Sequence, residues 1–230
     1  MPHLSSTAAP LRGTGPSNQR AMAPKNPVRP EARIAPEATL VSIKALNESD
    51  LLYPEALVCA YEWATTHQVD IVHNSYQMDP WVYWNPTDPE QAAALEAAER
   101  AIHRAQLSGL AVIAGAGDRG VDIDHPTTDS DSPTDSTPIP NRSVEGARMV
   151  PAQVSGVVTV SSVGMEDWNA EPLRATLVRA ERSNYGASVD FAAPGEWIYS
   201  TYPNGRIPQI YGYTSGTSSA AAHVSGIAAL

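Results

Sequence analysis

The feature that most constrains this chain lies at its far end. Residues 216–230 read Gly-Thr-Ser-Ser-Ala-Ala-Ala-His-Val-Ser-Gly-Ile-Ala-Ala-Leu, a turn running into an Ala-rich segment without proline. Such a segment predicts a helix with Ser218 on its first turn. The unpaired N–H groups and positive dipole end of a helix N-terminus favour the negative charge that develops when a hydroxyl attacks a carbonyl. Ser218 is therefore well placed to be a nucleophile. The small side chains suit a helix packed tightly under a sheet. These residues also leave a second reading open, an ordinary buried Ala-rich helix with a serine cap.

The same run resembles the nucleophile motif of the subtilisin family of serine proteases, Gly-Thr-Ser-Met-Ala-x-Pro-His-Val-x-Gly. Ser218 falls on the nucleophile, and Gly216, Thr217, Ala220, His223, Val224 and Gly226 fall on matching positions. Ser219 stands where Met is usual and Ala222 where Pro is usual. Neither position supplies a proton or a charge.

At 230 residues, 42% hydrophobic and 17% charged, the chain is long enough for one α/β domain with a sizeable core. A formal charge of −10 argues against nucleic-acid or anionic-membrane partners. No apolar run reaches the roughly 18 residues of a spanning helix, and the N-terminus, with Pro2, His3 and Pro10, does not read as a signal peptide. No address is visible, and an extracellular location is implied by the family resemblance alone. One cysteine, Cys59, excludes an intramolecular disulfide framework, and its apolar helical surroundings predict a buried structural thiol. A monomer is the default.

Residues 1–35 are polar and Pro-rich and predict a mostly irregular segment, leaving 36–230 as a partial peptidase domain. His3-Leu4-Ser5-Ser6-Thr7-Ala8-Ala9 resembles the stretch directly after the family's catalytic histidine, with His3 on its second histidine. The resemblance then places the catalytic histidine just ahead of Met1, and the strand bearing the triad aspartate earlier still. The expectation is a chain that lacks the family's first strand and first helix and ends inside a helix.

From Ile34 the resemblance is continuous. A turn at 34–38 leads into an alternating strand at 39–46, and a helix at 51–67 comes next. Between them Asn47-Glu48-Ser49-Asp50 replaces the family's Gly/Ser-rich edge that pairs with substrate. Val69–Tyr76 predicts a strand ending in polar residues at the carboxyl end of a parallel sheet, where such sheets bind ligands. Ser75 and Tyr76 would line a substrate cleft there. His73 reads as a structural strand histidine rather than a base, and Trp81, Tyr83 and Trp84 either rim the cleft or cover the core. Residues 89–108 carry strong helix signals, with Pro89 at the start, early glutamates, late His103 and Arg104, and Gly109 as a stop.

Leu110–Asp118 is a continuous apolar run suited to a central parallel strand. It resembles the family's "GVxVVAAAGN" segment, whose final Asn donates to the oxyanion. The resemblance implies substrate contacts at Ala116 and Gly117 and an oxyanion role at position 118, which here is Asp118. An ionised carboxylate accepts hydrogen bonds and cannot donate. Residues 122–148 form an acidic loop expected to be a solvated surface insertion. Its carboxylates leave a structural calcium ion open, but without the ordered ligand spacing of a dedicated loop, and neither a cofactor nor a metal ligand set is assigned. A strand at 154–164, a polar insertion at 167–181, motifs at 183–186 and 189–195, and a hairpin around 198–214 complete the chain.

The resemblance implies a subtilisin-like three-layer α/β sandwich with a mainly parallel sheet, and a serine endopeptidase that acts on polypeptides through an acyl-enzyme. Because the triad aspartate and histidine have no match inside the chain, the 230 residues alone are expected to be inactive. The alternative is a non-catalytic subtilisin-fold binding module, a pseudoenzyme.

Overall fold

The computed structural model describes residues 7–9, 34–166, 176–204 and 207–230. Helix α1 spans Pro54–Thr66 and buries Leu57, Tyr61 and Ala64, a stripe at helical spacing. Helix α2, Pro89–Leu107, starts where Asp88 accepts from the Glu90 N–H at 3.0 Å and buries Leu95, Ala98, Ile102 and Ala105. Gly109, at φ 91°, stops it in a conformation that costs other residues strain. Helix α3 is Thr217–Ala228, so Ser218 lies on a first helical turn.

The main sheet contains β1 (Thr7–Ala9), β2 (Val41–Ser42), β3 (Ile71–Asn74) and β4 (Ala111–Gly115). Two short strands, β5 (Thr128–Asp129) and β6 (Arg142–Ser143), pair with each other outside it. The sheet continues with β7 (Val158–Met165), β8 (Leu177–Arg179) and β9 (Phe191–Pro194), and a separate hairpin joins β10 (Ile198–Asn204) to β11 (Ile207–Thr214). Its order is β2-β1-β3-β4-β7-β8, with β9 also paired to β7. The pairings β3/β4, β4/β7 and β7/β9 are parallel, while β1 and β8 run the other way.

Alternation along the central strands sorts side chains into two layers. Val72, Val112 and Ala114 join the core under α1 and α2. Ile71, Ile113 and Val160 pack with Ala220 and Ala221 of α3 on the opposite face. The result is the three-layer α/β arrangement with a mainly parallel sheet, and the strands' carboxyl ends gather at one edge.

Residues 7–9, inside the segment expected to be mostly irregular, form β1 and pair antiparallel with both β2 and β3; His3 lies outside the described residues. Three expectations are corrected. Cys59 is exposed, because it lies on α1 away from the Leu57, Tyr61 and Ala64 stripe. The acidic loop is not wholly solvated: Ile123 and Val144 are buried, and the buried Asp129 carboxylate meets Arg142 at 2.9 Å. The strand expected at 39–46 is reduced to 41–42. Of the aromatics at 81–84, Tyr83 and Trp84 are buried in the core, and the Arg142 guanidinium stacks 4.6 Å over Trp81.

Candidate active site

The start of α3 is wedged against the end of β4. Thr217 Oγ1 accepts from the Gly117 N–H at 3.0 Å, and the Thr217 N–H donates to Asp118 Oδ1 at 2.8 Å. Space is tight enough that a Cβ on Gly115 would lie 2.9 Å from Thr217 Oγ1. Gly216, at φ 140°, would bring a Cβ to 2.9 Å from Asp118 Oδ2, so two reasons reserve that position for glycine. The Gly216 carbonyl accepts from Ser219 and Ala220. Among the described residues the Ser218 N–H is left without a protein acceptor, and it stands at the positive end of the helix dipole.

Ser218 opens onto a cleft of about 980 Å³ that is also lined by Ser75, Tyr76, Gly117 and Asp118. Three elements bring them together. Asn74 of β3 pairs with Ala114 of β4, so Ser75 leaves its strand beside Gly115, against which Thr217 packs. Ala116, expected to touch substrate, is absent from that lining. It is fully buried, its N–H donates to Val160 and its carbonyl accepts from Asn184 Nδ2 at 2.8 Å. Asp118 lines the cleft, but one carboxylate oxygen is committed to the Thr217 N–H, so it caps α3.

On the β3 side the polar groups form a chain. Ser75 Oγ lies 2.6 Å from His73 Nε2, and His73 Nδ1 lies 3.2 Å from Ser225 Oγ of α3. His73 is nearly enclosed, and burial lowers its pKa to about 4, with a smaller opposing effect of a hydrogen bond to the Ala221 backbone. Tyr76 directs its hydroxyl to Asn74 Oδ1 at 2.6 Å, and Tyr61 reaches the same oxygen at 3.1 Å. Burial pushes both phenols upward. The remaining described histidines are engaged elsewhere. His223 Nδ1 donates to the Ser219 carbonyl, His67 Nδ1 to the Trp63 carbonyl, and His103 meets Gln106. His125 faces Asp122 at 3.0 Å.

One organising residue was read only as part of a motif. Asn184, fully buried, accepts from the N–H groups of Arg119 and Val121 and donates to the Ala116 carbonyl, so one side chain shapes the loop that carries Gly117 and Asp118. Its signal in the sequence is a lone Asn between Ser183 and Tyr185, which says nothing of partners more than 60 positions away. Arg119 in turn spans the cleft mouth, reaching Asp131 at 3.0 Å and Gln77 at 3.1 Å.

The carboxylates of the acidic loop are engaged by protein groups. Asp122 pairs with His125, Asp124 accepts from Ser188, Asp129 and Asp131 meet arginines, and Asp135 accepts from Tyr53. Among the described residues no group of three His, Cys, Asp or Glu side chains is placed to hold a metal. No helix among them is long and apolar enough to cross a membrane.

The three-layer α/β sandwich thus carries a serine on the first turn of a helix, open to a cleft at the strands' carboxyl ends. The family model for subtilases matches residues 17–230, and the chain belongs to the subtilase family. Subtilisin DY of Bacillus licheniformis is 30% identical over 197 residues, which is 86% of this chain and 55% of that protein. The major intracellular serine protease of Bacillus subtilis (strain 168) is 30% identical over 200 residues, 86% of this chain and 48% of that protein. Among solved structures, a lanthipeptide protease superposes with a TM-score of 0.63 at 25% identity, covering 86% of this chain and 56% of that one. The chain spans about half the length of the curated relatives it matches.

Proposed function

We propose that this chain provides the nucleophile and a wall of the substrate cleft of a serine endopeptidase that cleaves polypeptides through an acyl-enzyme. The observation that carries this reading is the Ser218 N–H, without an acceptor among the described residues, on the first turn of α3 and opening on the cleft that Ser75, Gly117 and Asp118 share. A hydroxyl attacking a carbonyl there meets a helix dipole and a donor for the oxyanion. Asp118 occupies the oxyanion position, and Ser75, Tyr76 and Gly117 contact substrate. The reaction needs no cofactor. The protein acts as a monomer, and its net charge of −10 disfavours nucleic acid as a partner. An extracellular location belongs to this reading, and one relative of the family is named as intracellular.

A serine hydroxyl is a poor nucleophile until a base takes its proton, and the base is in turn oriented by a third group. The described histidines other than His73 are committed to partners away from Ser218. The 230 residues alone therefore hydrolyse peptides negligibly. The carboxylate at Asp118, which accepts where the reaction needs a donor, favours the second reading, a binding module of the same fold.

The test is a chimera in which the strand and helix bearing a subtilisin's aspartate and histidine are joined ahead of residue 1. Peptide hydrolysis that disappears with Ser218→Ala, together with fluorophosphonate labelling of Ser218, is expected. A folded chimera that binds peptide but neither cleaves it nor labels at Ser218 would replace the peptidase with the binding module.

A further inference from the structure

A second serine in the cleft has what Ser218 lacks among the described residues, a histidine in hydrogen-bond contact. Ser75 is half-buried just past the carboxyl end of β3 and lines the cleft, with His73 Nε2 at 2.6 Å from its Oγ. The tautomer is set by the partners on the far side of the ring. Ser225 gives its hydroxyl proton to the Ala221 carbonyl at 2.8 Å, so its oxygen accepts from His73 Nδ1 at 3.2 Å. The Ala221 backbone is a further hydrogen-bond partner of the ring. With the Ser225 oxygen as acceptor at Nδ1, that nitrogen carries the hydrogen, Nε2 is bare, and the Ser75 hydroxyl donates to it. This is the order of a nucleophile, a base and an orienting group, with neutral oxygens where a carboxylate usually stands.

We propose that Ser75 and His73 form a second nucleophile–base pair in this cleft, one that accepts acyl groups from activated esters. Ser75 Oγ bonds to the acyl carbon, the C–O bond to the leaving group breaks, and the Ser75 proton passes to Nε2 and on to the departing oxyanion. Water then gives a proton to Nε2 while its oxygen bonds to the acyl carbon. Ser75 Oγ departs and recovers that proton, so the net products are an acid and an alcohol. Burial holds the ring near a pKa of about 4, so it is neutral and able to accept at assay pH. The same burial makes the imidazolium costly, which suits leaving groups that depart without early protonation, hence esters rather than amides.

The full 230-residue chain carrying Ser218→Ala is incubated with 4-nitrophenyl acetate and, separately, with a fluorophosphonate, and the modified residue is located by mass spectrometry. The expected result is an adduct on Ser75 that forms on the order of 10²-fold faster than in the Ser218→Ala/His73→Asn variant. Ser225→Ala should slow it and Ser225→Thr restore it, which a packing role alone would not produce. Nitrogen-15 NMR of the unsubstituted chain gives a readout that does not depend on any variant folding: His73 should be protonated on Nδ1 and bare on Nε2. No adduct on Ser75, a rate indifferent to His73→Asn, or a neutral ring protonated on Nε2 would each overturn the proposal. Ser218 is absent from the labelling experiment, so failure there leaves the peptidase reading where it stood.

Discussion

Ser218 and Ser75 line one cleft, and each has what the other lacks. Ser218 stands on the first turn of α3, with its own N–H unaccepted and the helix dipole behind it, but no described base against its hydroxyl. Ser75 hangs from the end of a strand with a base at 2.6 Å and no helix terminus of its own. Attack on a carbonyl makes two demands, removal of a proton and stabilisation of the oxyanion. On the reading proposed above, these two demands fall on different elements of the fold, the start of α3 and the end of β3.

The comparison breaks most sharply at Ser218. In the chimera, Ser218→Ala should lower peptide turnover by on the order of 10⁴-fold or more, because the neighbouring first-turn hydroxyls are engaged, Thr217 Oγ1 by the Gly117 N–H and Ser219 Oγ by Thr214 Oγ1. Steady-state hydrolysis checks this, and a small loss would mean that Ser75 carries the peptidase reaction as well.

On the Ser75 side the largest effect is on stability. His73 has a folded pKa of about 4 against 6.5 for the ordinary group, so between those pH values the unfolded chain binds the extra proton. The stabilisation is complete above about pH 6.5 and is lost as pH falls towards 4. At 1.36 kcal/mol per unit the loss amounts to about 3 kcal/mol. The Ser75 and Ser225 hydroxyls, which meet the ring, do not titrate in that range. Urea unfolding from pH 7 to 4 should show this slope, and His73→Asn should flatten it. An unchanged slope would place the ring in contact with water.

Gly115 lies between the two serines. Its substitution by Ala would force a Cβ to 2.9 Å from Thr217 Oγ1 and 3.1 Å from the Thr217 backbone. The start of α3 must then shift, and a destabilisation of about 2 kcal/mol is expected, read as a lower thermal midpoint. Wild-type stability would show that the β4–α3 contact is slack.

The smallest effect sharpens the Ser218 half. Asp118→Asn keeps an oxygen for the Thr217 N–H and adds an amide that can donate to an oxyanion. Turnover by the chimera at pH 7–8 should rise about ten-fold, below the full value of an oxyanion donor because the Ser218 N–H already supplies one. No change across that pH range would remove position 118 from the oxyanion site.

Much of this architecture could be read from local signals. The Ala-rich run at 217–228, the capped and charge-biased helix at 89–107 and the apolar strand at 111–115 appear where caps, helical period and β-branched content place them. Those signals act over one or two turns of chain, which is why they survive in sequence. The strand read at 154–164 begins only at Val158, after a turn whose buried Val154 resembles a strand residue in composition.

What sequence alone determined is therefore the three helices and the central strands β3, β4 and β7, the family, and Ser218 at a helix start. Tertiary structure decided which faces are covered and which polar atoms meet. Cys59 is exposed and Ala116 hidden because burial belongs to the layer a face packs against, which a periodic pattern does not name. Asn184 shapes the loop at 117–121 across more than 60 positions, and Ser225 orients His73 across 152. No local preference encodes such pairs. A hydrogen bond forms only when two elements, each stable for its own reasons, are packed on the same sheet, and that packing is the property of the whole chain.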